Sequence, residues 1–104
     1  MNVCTLSGSL TRNAMQNNMD RALTFTVATS YGYDEEAKRD RVAFVPCVMF
    51  NAPQELVELL STKGKGLRVE LEGRVTSSSY EANGERRFKT DVIVRNSTFR
   101  IVKN

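Results

Sequence analysis

Alternation of apolar and polar residues with a period of two runs through most of this sequence and limits its fold more than any other feature. Successive side chains of a β-strand point to opposite faces, so such alternation is typical of strands with one buried face. Val, Thr and Phe, which favour strands, recur throughout the alternating segments. Only residues 51–60 have the spacing of a helix. The pattern therefore predicts an all-β domain with one short helix.

Five segments carry the strand pattern. They are residues 2–10, 21–33, 41–50, 67–80 and 86–94, and the polar runs at 11–20 and 34–40 are predicted to be loops. Asn51 or Ala52 lies near the cap of the predicted helix, and Pro53 lies in its first turn. Gly64 is expected to stop this helix.

The last two predicted strands are joined by Asn83 and Gly84, a residue pair that suits a two-residue hairpin turn. The order is thus three strands, a helix and a long hairpin. This is the element order of the oligonucleotide-binding (OB) fold, a five-stranded barrel with one short helix between strands 3 and 4. A chain of 104 residues is long enough for one hydrophobic core. We therefore predict a single domain that spans residues 1–104.

The third predicted strand, residues 41–50, has two apolar faces. One face consists of Phe44, Val48 and Phe50, and the other consists of Val45, Cys47 and Met49. A small barrel buries only one face of each strand, so the second face is expected to meet a ligand or another subunit. Pro46 lies in the same strand. Because proline donates no backbone hydrogen bond, it predicts a bulge or an unpaired edge at this point.

The residue types that catalysis and metal binding require are scarce. The chain has no histidine, and its two cysteines, Cys4 and Cys47, lack the spacing of zinc ligands. It also has no glycine-rich phosphate loop. We therefore expect no enzyme, no cofactor and no metal site, and we expect both cysteines to be buried, reduced thiols. The sequence has no signal-peptide pattern and no apolar run of membrane-spanning length, which predicts a cytoplasmic protein.

Positive charge is concentrated in the last two-fifths of the chain. The net charge is +3 and the pI is about 9.1. Residues 1–62 carry a net charge of −2, whereas residues 63–104 carry +5. The candidate phosphate-contacting residues are Arg12, Lys63, Lys65, Arg74, Arg86, Arg87 and Lys89. The hairpin at residues 80–88 is predicted to be a mobile basic arm, in which Arg86 and Arg87 contact phosphates.

Aromatic residues fall at the ends of the predicted strands and at the bases of loops. The candidate base-stacking residues are Tyr33, Phe44, Phe50, Tyr80 and Phe88. In contrast, Phe25 and Phe99 are embedded in apolar alternation and are expected in the core. Stacking of a base on an aromatic ring contributes about 1–3 kcal/mol whatever the base. Aromatic residues interleaved with cations therefore predict sequence-independent binding of single-stranded nucleic acid.

Five segments also carry a resemblance to a known family. In order they are LSGSLTR (residues 6–12), FTVATS (25–30), FVPCVMFN (44–51), KGKGLRVELEGR (63–74) and residues 80–94. Together they resemble the DNA-binding domain of bacterial single-stranded-DNA-binding proteins over nearly the whole chain. The stacking residues that the resemblance implies are Tyr33, Phe44, Phe50 and Tyr80. It also implies a homo-oligomer, a tetramer or a dimer, that binds and protects single-stranded DNA in replication, recombination or repair, at the nucleoid.

The chain departs from the family's pattern in three ways. Tyr or Phe occupies every position at which better-known members have tryptophan, which leaves less area for stacking. Residues 77–79 are serines where members often have basic residues. The sequence ends at Lys103-Asn104 without an acidic tail, so tail-mediated recruitment of repair enzymes is not expected. This fits either a trimmed chain or a reduced version such as a phage, a plasmid or another mobile element carries.

Two other functions stay open at this point. One is an OB-fold replication accessory that resembles a primosome component, docks on another protein and holds DNA only weakly. The other is a structural assembly domain, in which the second apolar face of residues 41–50 contacts protein. Titration with oligo-dT across a salt series separates these functions, because a DNA binder's tyrosine fluorescence is quenched and its affinity weakens with salt.

Overall fold

Five long strands close on themselves to form the barrel that the alternation predicts. The structure is a computed structural model that describes residues 1–103, so Asn104, the last residue of the predicted domain, lies outside the described residues. Residues 1–103 form β1 (Cys4–Leu10), β2 (Met15–Asn17), β3 (Ala22–Asp34), β4 (Arg39–Phe50), α1 (Gln54–Lys63), β5 (Arg68–Ala82), β6 (Glu85–Val94), a 3-10 turn (Asn96–Thr98) and β7 (Arg100–Ile101).

The strand order is that of an OB barrel. It runs β1-β3-β4-β6-β5, and β5 pairs back onto β1 to close the barrel. All of these pairings are antiparallel except the short parallel contact between β4 and β6. The helix α1 lies between β4 and β5, which are the third and fourth strands of the barrel in chain order. The predicted fold class is therefore confirmed.

The barrel interior is filled by the inward faces of its strands. Leu23 and Val27 of β3 and Met49 of β4 are fully buried, and Leu60 of α1 packs into the same core from the helix. Each such side chain contributes about 1.5–3 kcal/mol by leaving water. Phe25 lies in this core with its ring 5.9 Å from that of Phe99, edge to face. The prediction that Phe25 and Phe99 are core residues is confirmed, Phe99 being only partly buried.

The helix begins later than predicted. Pro53 is its N-cap, with φ −57° and ψ 142°, rather than part of its first turn, and its carbonyl accepts a hydrogen bond from the Val57 amide. Gly64 follows the last helical residue, and a Cβ there would overlap the carbonyl oxygen of Leu60. α1 has ten residues, and no helix within residues 1–103 is long and apolar enough to cross a membrane.

Two segments that were predicted to be loops contain β-strand residues. The run at 11–20 includes β2, which pairs with the start of β3. The run at 34–40 was expected to be a long loop, but β3 and β4 pair as far as Asp34 with Arg39. Charged residues are tolerated in this part of the ladder because both of its faces are exposed to solvent. The connection therefore shortens to residues 35–38.

Two hairpin arms project from the barrel. We call residues 30–42 the β3–β4 arm and residues 77–90 the β5–β6 arm. Because β4 and β6 are parallel where Cys47 pairs with Val92, the residues that precede this point in both strands leave the barrel in the same direction. The radius of gyration, 14.8 Å, exceeds the value of about 13 Å typical of this length, as protruding arms require.

The turn of the β5–β6 arm has the predicted chemistry. Asn83 and Gly84 have φ values of 53° and 78°. Two consecutive residues with positive φ form the type I′ turn, whose twist matches that of the flanking strands. The predicted tight turn is confirmed.

Pro46 lies at an unpaired edge of β4, which is one of the two predicted alternatives, the other being a bulge. It pairs in register with Thr26, whose carbonyl accepts a hydrogen bond from the Thr11 amide and so points away from β4. In such a pair the nitrogen of Pro46 also points away from β3. On that side β6 pairs with β4 from Cys47 onward. The missing amide therefore costs no ladder hydrogen bond.

Both cysteines are free thiols. Cys47 is buried and Cys4 is half-buried. Burial, together with the nearby Cys4 and Asp91, raises the pKa of Cys47 to about 12. The Cys47 thiol is therefore protonated and unreactive at neutral pH.

Candidate nucleic-acid interface

The outer face of β4 is apolar although it is not part of the core. Cys47 and Met49 point into the barrel and are buried, whereas the alternate residues Phe44 and Phe50 are exposed. Val42 on the same face is also exposed. Exposed apolar surface of this kind is typical of a binding site. The predicted second apolar face of this strand therefore exists and is open to solvent.

Phe50 and Phe44 lie at two separate places along β4. Six residues of strand separate them, which corresponds to about 20 Å. Phe50 ends the strand, and its carbonyl accepts a hydrogen bond of 2.7 Å from the side-chain amide of Asn96. This contact fixes the backbone that holds the Phe50 ring. The two rings are far enough apart to contact different nucleotides.

Tyr33 reaches the same outer face because of a β-bulge. In simple alternation Tyr33 would share the buried face of Phe25. The register of β3 against β4 shifts by one residue at Tyr31, so that Tyr33 pairs with Asp40. Asp40 is on the side of β4 that carries Phe44, because the two residues are an even number apart. The bulge therefore turns Tyr33 from the core side to the outer side.

Tyr80 lies on the β5–β6 arm with cations beside it. The ladder pairs Tyr80 with Arg87 and Ser78 with Lys89, so these four side chains share one face. Arg74 lies on that face too, six residues before Tyr80 in β5. Arg87 and Lys89 are more than half exposed. The predicted interleaving of ring and charge is present here.

The outer faces of β4, β6 and β5 are continuous. Val48 of β4 pairs with Ile93 of β6, which in turn pairs with Arg74 of β5. Directly paired residues lie on the same side of a sheet. The four rings predicted by family resemblance therefore share the outer surface of the barrel and its arms, with exposures of 57% for Tyr33, 67% for Phe44, 40% for Phe50 and 50% for Tyr80.

Phe88 and Arg86 lie on the opposite face of the β5–β6 arm. Phe88 pairs with Ser79, and Arg86 pairs with Glu81. These pairs alternate with the Tyr80–Arg87 pair, so their side chains point to the other side. Phe88 is exposed. The structure thus places Phe88 apart from the four rings of the outer face.

The predicted phosphate-contacting residues form two groups. Arg12, Lys63 and Lys65 lie at the barrel end where α1 stops, because Asn13 hydrogen-bonds the carbonyl of Thr62 and the amide of Lys65. Arg74 and the arm cations form the second group. The first group adjoins the start of β5 at Arg68, whereas Arg74 lies six residues further along that strand, about 20 Å away, and the arm cations lie beyond Arg74. The two groups therefore occupy different parts of the surface.

The ion pairs of the arm are weak. Arg87 lies 3.7 Å from Glu85, and Lys89 lies 3.8 Å from Asp91. The Arg87–Glu85 pair is exposed on both sides, and such pairs contribute about 0–1 kcal/mol, so Arg87 is free to exchange its partner for a phosphate. The Asp91 side chain is only 14% exposed, so the Lys89–Asp91 pair is more shielded from water. Within the described range 1–103, no group of three or more His, Cys, Asp or Glu residues is placed to hold a metal ion.

Two exposed residues of this surface escaped the sequence analysis. Tyr31 forms the bulge and is exposed, and Met15 of β2 pairs with Thr24 on the outer side of β3. The glycine at position 32 is a sequence signal for a bulge. Met15 gave no such signal, because three residues are too few to show alternation.

Removal of the Arg87 side chain is expected to weaken the salt dependence of DNA binding. If Arg87 neutralises one phosphate, the Arg87→Ala variant loses about 0.7 from the slope of log affinity against log salt on single strands. Arg86→Ala is the matched control, because Arg86 is its neighbour on the opposite face. We expect the Arg86→Ala slope to stay at the wild-type value. Equal reductions in both variants would mean that DNA contacts both faces of the arm.

Residues 1–100 match the Single-strand binding protein family. The chain belongs to this family. A Single-stranded DNA-binding protein of Clostridium perfringens (strain 13 / Type A) is 31% identical over 100 residues, which are 95% of this chain. The match covers 65% of that family member, so the chain spans less than two thirds of its length.

Solved structures of similar proteins share the fold. A Plasmodium falciparum SSB in complex with ssDNA superposes with a TM-score of 0.70 at 19% identity, covering 98% of this chain and 93% of the other. The mitochondrial single-stranded DNA binding protein Rim1 of S. cerevisiae gives a TM-score of 0.69 at 15% identity, covering 98% and 95%. The family's barrel is therefore retained at low sequence identity.

Proposed function

We propose that this protein binds and protects single-stranded DNA without strong sequence preference. The observation that carries the proposal is the set of four exposed rings on one outer surface, interleaved with Arg74, Arg87 and Lys89. Rings stack on any unpaired base, and cations contact phosphates without reading sequence. Membership of the single-strand binding protein family supports the same function.

The proposal extends to the role of the complex. A protein that covers unpaired bases and performs no chemistry on them serves replication, recombination or repair, which places it at the nucleoid. The rings support strand selectivity, because a base in a duplex is already stacked and paired and offers them no free face.

Oligo-dT is expected to quench the intrinsic fluorescence of this protein, and a duplex of equal length is expected to bind much more weakly. The chain has three tyrosines and no tryptophan, so the signal reports on Tyr31, Tyr33 and Tyr80. The measurement is a fluorescence titration at several salt concentrations, in which affinity for single strands falls as salt rises. Comparable affinity for the duplex would contradict the proposal.

We also propose that the protein is a homo-oligomer, a tetramer or a dimer. β1 pairs with β5 along Cys4–Ser9, whereas it pairs with β3 only at Ser9 and Leu10. The first half of β1 therefore offers an open edge, and edge strands readily pair with a second copy. Light scattering at micromolar concentration is expected to give a multiple of the chain mass. A monomer would overturn this part of the proposal.

A further inference from the structure

The outer surface that carries the rings continues beyond β4 onto β3 and the short strand β2. Met15 of β2 pairs with Thr24 of β3, and Thr24 pairs with Val48 of β4. Directly paired residues lie on the same side of a sheet. Val48 is an even number of residues from Phe50, so the whole row faces outward with that ring. Met15 therefore lies on the same surface as the stacking rings.

Met15 is an exposed apolar side chain on a fixed backbone. It is 68% exposed. Ala14, directly before it, is buried in the core, and its amide donates a hydrogen bond of 2.8 Å to the carbonyl of Leu60 in α1. The Thr24 hydroxyl donates a hydrogen bond of 3.2 Å to the Met15 carbonyl. These contacts hold the main chain of β2 on the barrel, so the Met15 side chain is presented to solvent at a fixed place.

Met15 and Phe50 are close enough for one strand of DNA to contact both. Adjacent strands of a sheet are about 4.8 Å apart, and β2 is separated from β4 by β3 alone. Phe50 lies about 7 Å along β4 from Val48, the residue in the row of Met15. The main chains at Met15 and Phe50 are therefore about 12 Å apart, whereas Phe50 and Phe44 are separated by roughly 20 Å. A strand that contacts Phe44 and Phe50 already covers a longer step than the one from Phe50 to Met15.

The barrel parts of β2, β3 and β4 carry no carboxylate. Asp and Glu are absent from residues 1–19, 21–29 and 43–54. Asp20, in the turn between β2 and β3, accepts a hydrogen bond from the amide of Ala22. A chain of phosphates that crosses these strands therefore meets no like charge on them. Apolar surface without negative charge, continuous with the rings, fits a nucleic-acid strand as its occupant.

The methionine side chain suits contact with a base of any identity. It is unbranched and its sulfur is polarizable, so it packs against aromatic rings in several orientations. Every unpaired base offers such a ring. The thioether is only a weak hydrogen-bond acceptor, so it does not distinguish one base from another. A contact at Met15 therefore adds affinity without adding sequence preference.

We propose that Met15 is a further DNA-contacting residue, which packs against a base of the bound strand beyond the base stacked on Phe50. The inference rests on the proposed function, because the base is delivered by a single strand on the outer surface. It extends the DNA-binding surface from β4 across β3 to β2. The segment 11–20, expected from the sequence to be a loop, thereby contributes a base contact.

The four methionines of the chain allow a test on the unaltered protein. Hydrogen peroxide transfers one oxygen atom to an accessible methionine sulfur and releases water, and mass spectrometry gives the rate of sulfoxide formation at each position. Met1 and Met19 are fully exposed and Met49 is fully buried, so they are the fast and slow references. We expect Met15 to be oxidised almost as fast as Met19 in the free protein. Saturating oligo-dT is expected to slow Met15 about fivefold or more and to leave Met1 and Met19 within about twofold of their free rates.

A pair of variants measures what the contact contributes. Met15→Ala is expected to weaken oligo-dT binding about two- to tenfold, the range that a contact between sulfur and an aromatic ring provides. The loss is expected to be equal for oligo-dT, oligo-dA and mixed sequence. Met19→Ala is the matched control, because Met19 is an exposed methionine of the turn that follows β2, and we expect it to bind as the wild type does. Both side chains are exposed, so urea unfolding curves are expected to match that of the wild type.

The outcomes separate this inference from the proposed function. If oligo-dT is not bound, both fail. If oligo-dT is bound and Met15 is oxidised as fast as in the free protein, only the contact at Met15 is overturned. Equal protection of Met15 and Met19 also overturns it, because the strand would then cover the turn and not this face of the sheet. Slow oxidation of Met15 before DNA is added, or unchanged affinity of Met15→Ala, overturns it as well. The oxidation experiment needs no variant, so a folding defect cannot hide the result.

Discussion

A variant in which Phe44 and Tyr80 are both replaced by alanine is expected to bind oligo-dT roughly thirtyfold more weakly than the wild type, or worse. Each ring that stacks one base contributes about 1–3 kcal/mol, so the loss of both costs at least about 2 kcal/mol. The two rings lie on different strands of the outer surface and are mostly exposed, so the free energy of unfolding is expected to change little. The measurements are an oligo-dT titration and a urea unfolding curve on the same preparation.

The control for this double variant is Phe25→Ala. Phe25 is 5% exposed and packs edge to face on Phe99, so its removal leaves a cavity in the core. It is expected to lower the unfolding free energy by about 3–5 kcal/mol, while the molecules that remain folded bind DNA normally. If the Phe44 and Tyr80 variant instead unfolds easily and its folded fraction binds oligo-dT as the wild type does, these rings are structural.

Gly8→Ala is expected to destabilise the barrel by about 3 kcal/mol or more. A Cβ at position 8 would overlap the carbonyl oxygen of Ala28 and would lie 2.8 Å from Cγ1 of Val27. The obstacle is the backbone of β3, which cannot move because β3 is paired on both sides. Glycine is therefore required where β1 crosses from β5 to β3. Thermal or urea unfolding measures the effect.

Gly32→Ala is the matched control for Gly8→Ala. Gly32 also lies in a barrel strand, but a Cβ there has no neighbour within 4 Å, and its φ is not positive. We expect a change in unfolding free energy of less than about 0.5 kcal/mol. Similar losses in both variants would mean that the strand propensity of glycine, and not the close approach of β1 to β3, decides the effect.

Much of the fold follows from the sequence because alternation is a direct record of which side chains face the core. Leu23, Phe25 and Val27 alternate in β3, and the structure buries all three. The two apolar faces of β4 could be predicted for the same reason, since Phe44 and Phe50 are out of phase with Cys47 and Met49. Asn83-Gly84 fixed the turn, because few other pairs tolerate two positive φ values.

Features that depend on register could not be predicted in this way. Alternation assigns Tyr33 to the side of Phe25, and only the bulge at Tyr31 reverses it. Phe88 and Tyr80 lie on opposite faces of the β5–β6 arm because of how β5 and β6 pair across the turn. The alternation of residues within one strand does not reveal this pairing.

The two arms can change in length without disturbing the core. They extend beyond the closed barrel, so residues added in equal number to both strands of an arm lengthen only that arm. Adding two residues to each strand preserves the side on which every ring lies, whereas adding one residue to each strand reverses every ring beyond the insertion. Deletion of Tyr31 alone would remove the bulge and leave Tyr33 paired with Asp40 on the outer side, because Tyr31 is the unpaired residue of the bulge. The number of residues in an arm therefore decides which rings lie on the outer surface, with no substitution of an aromatic residue.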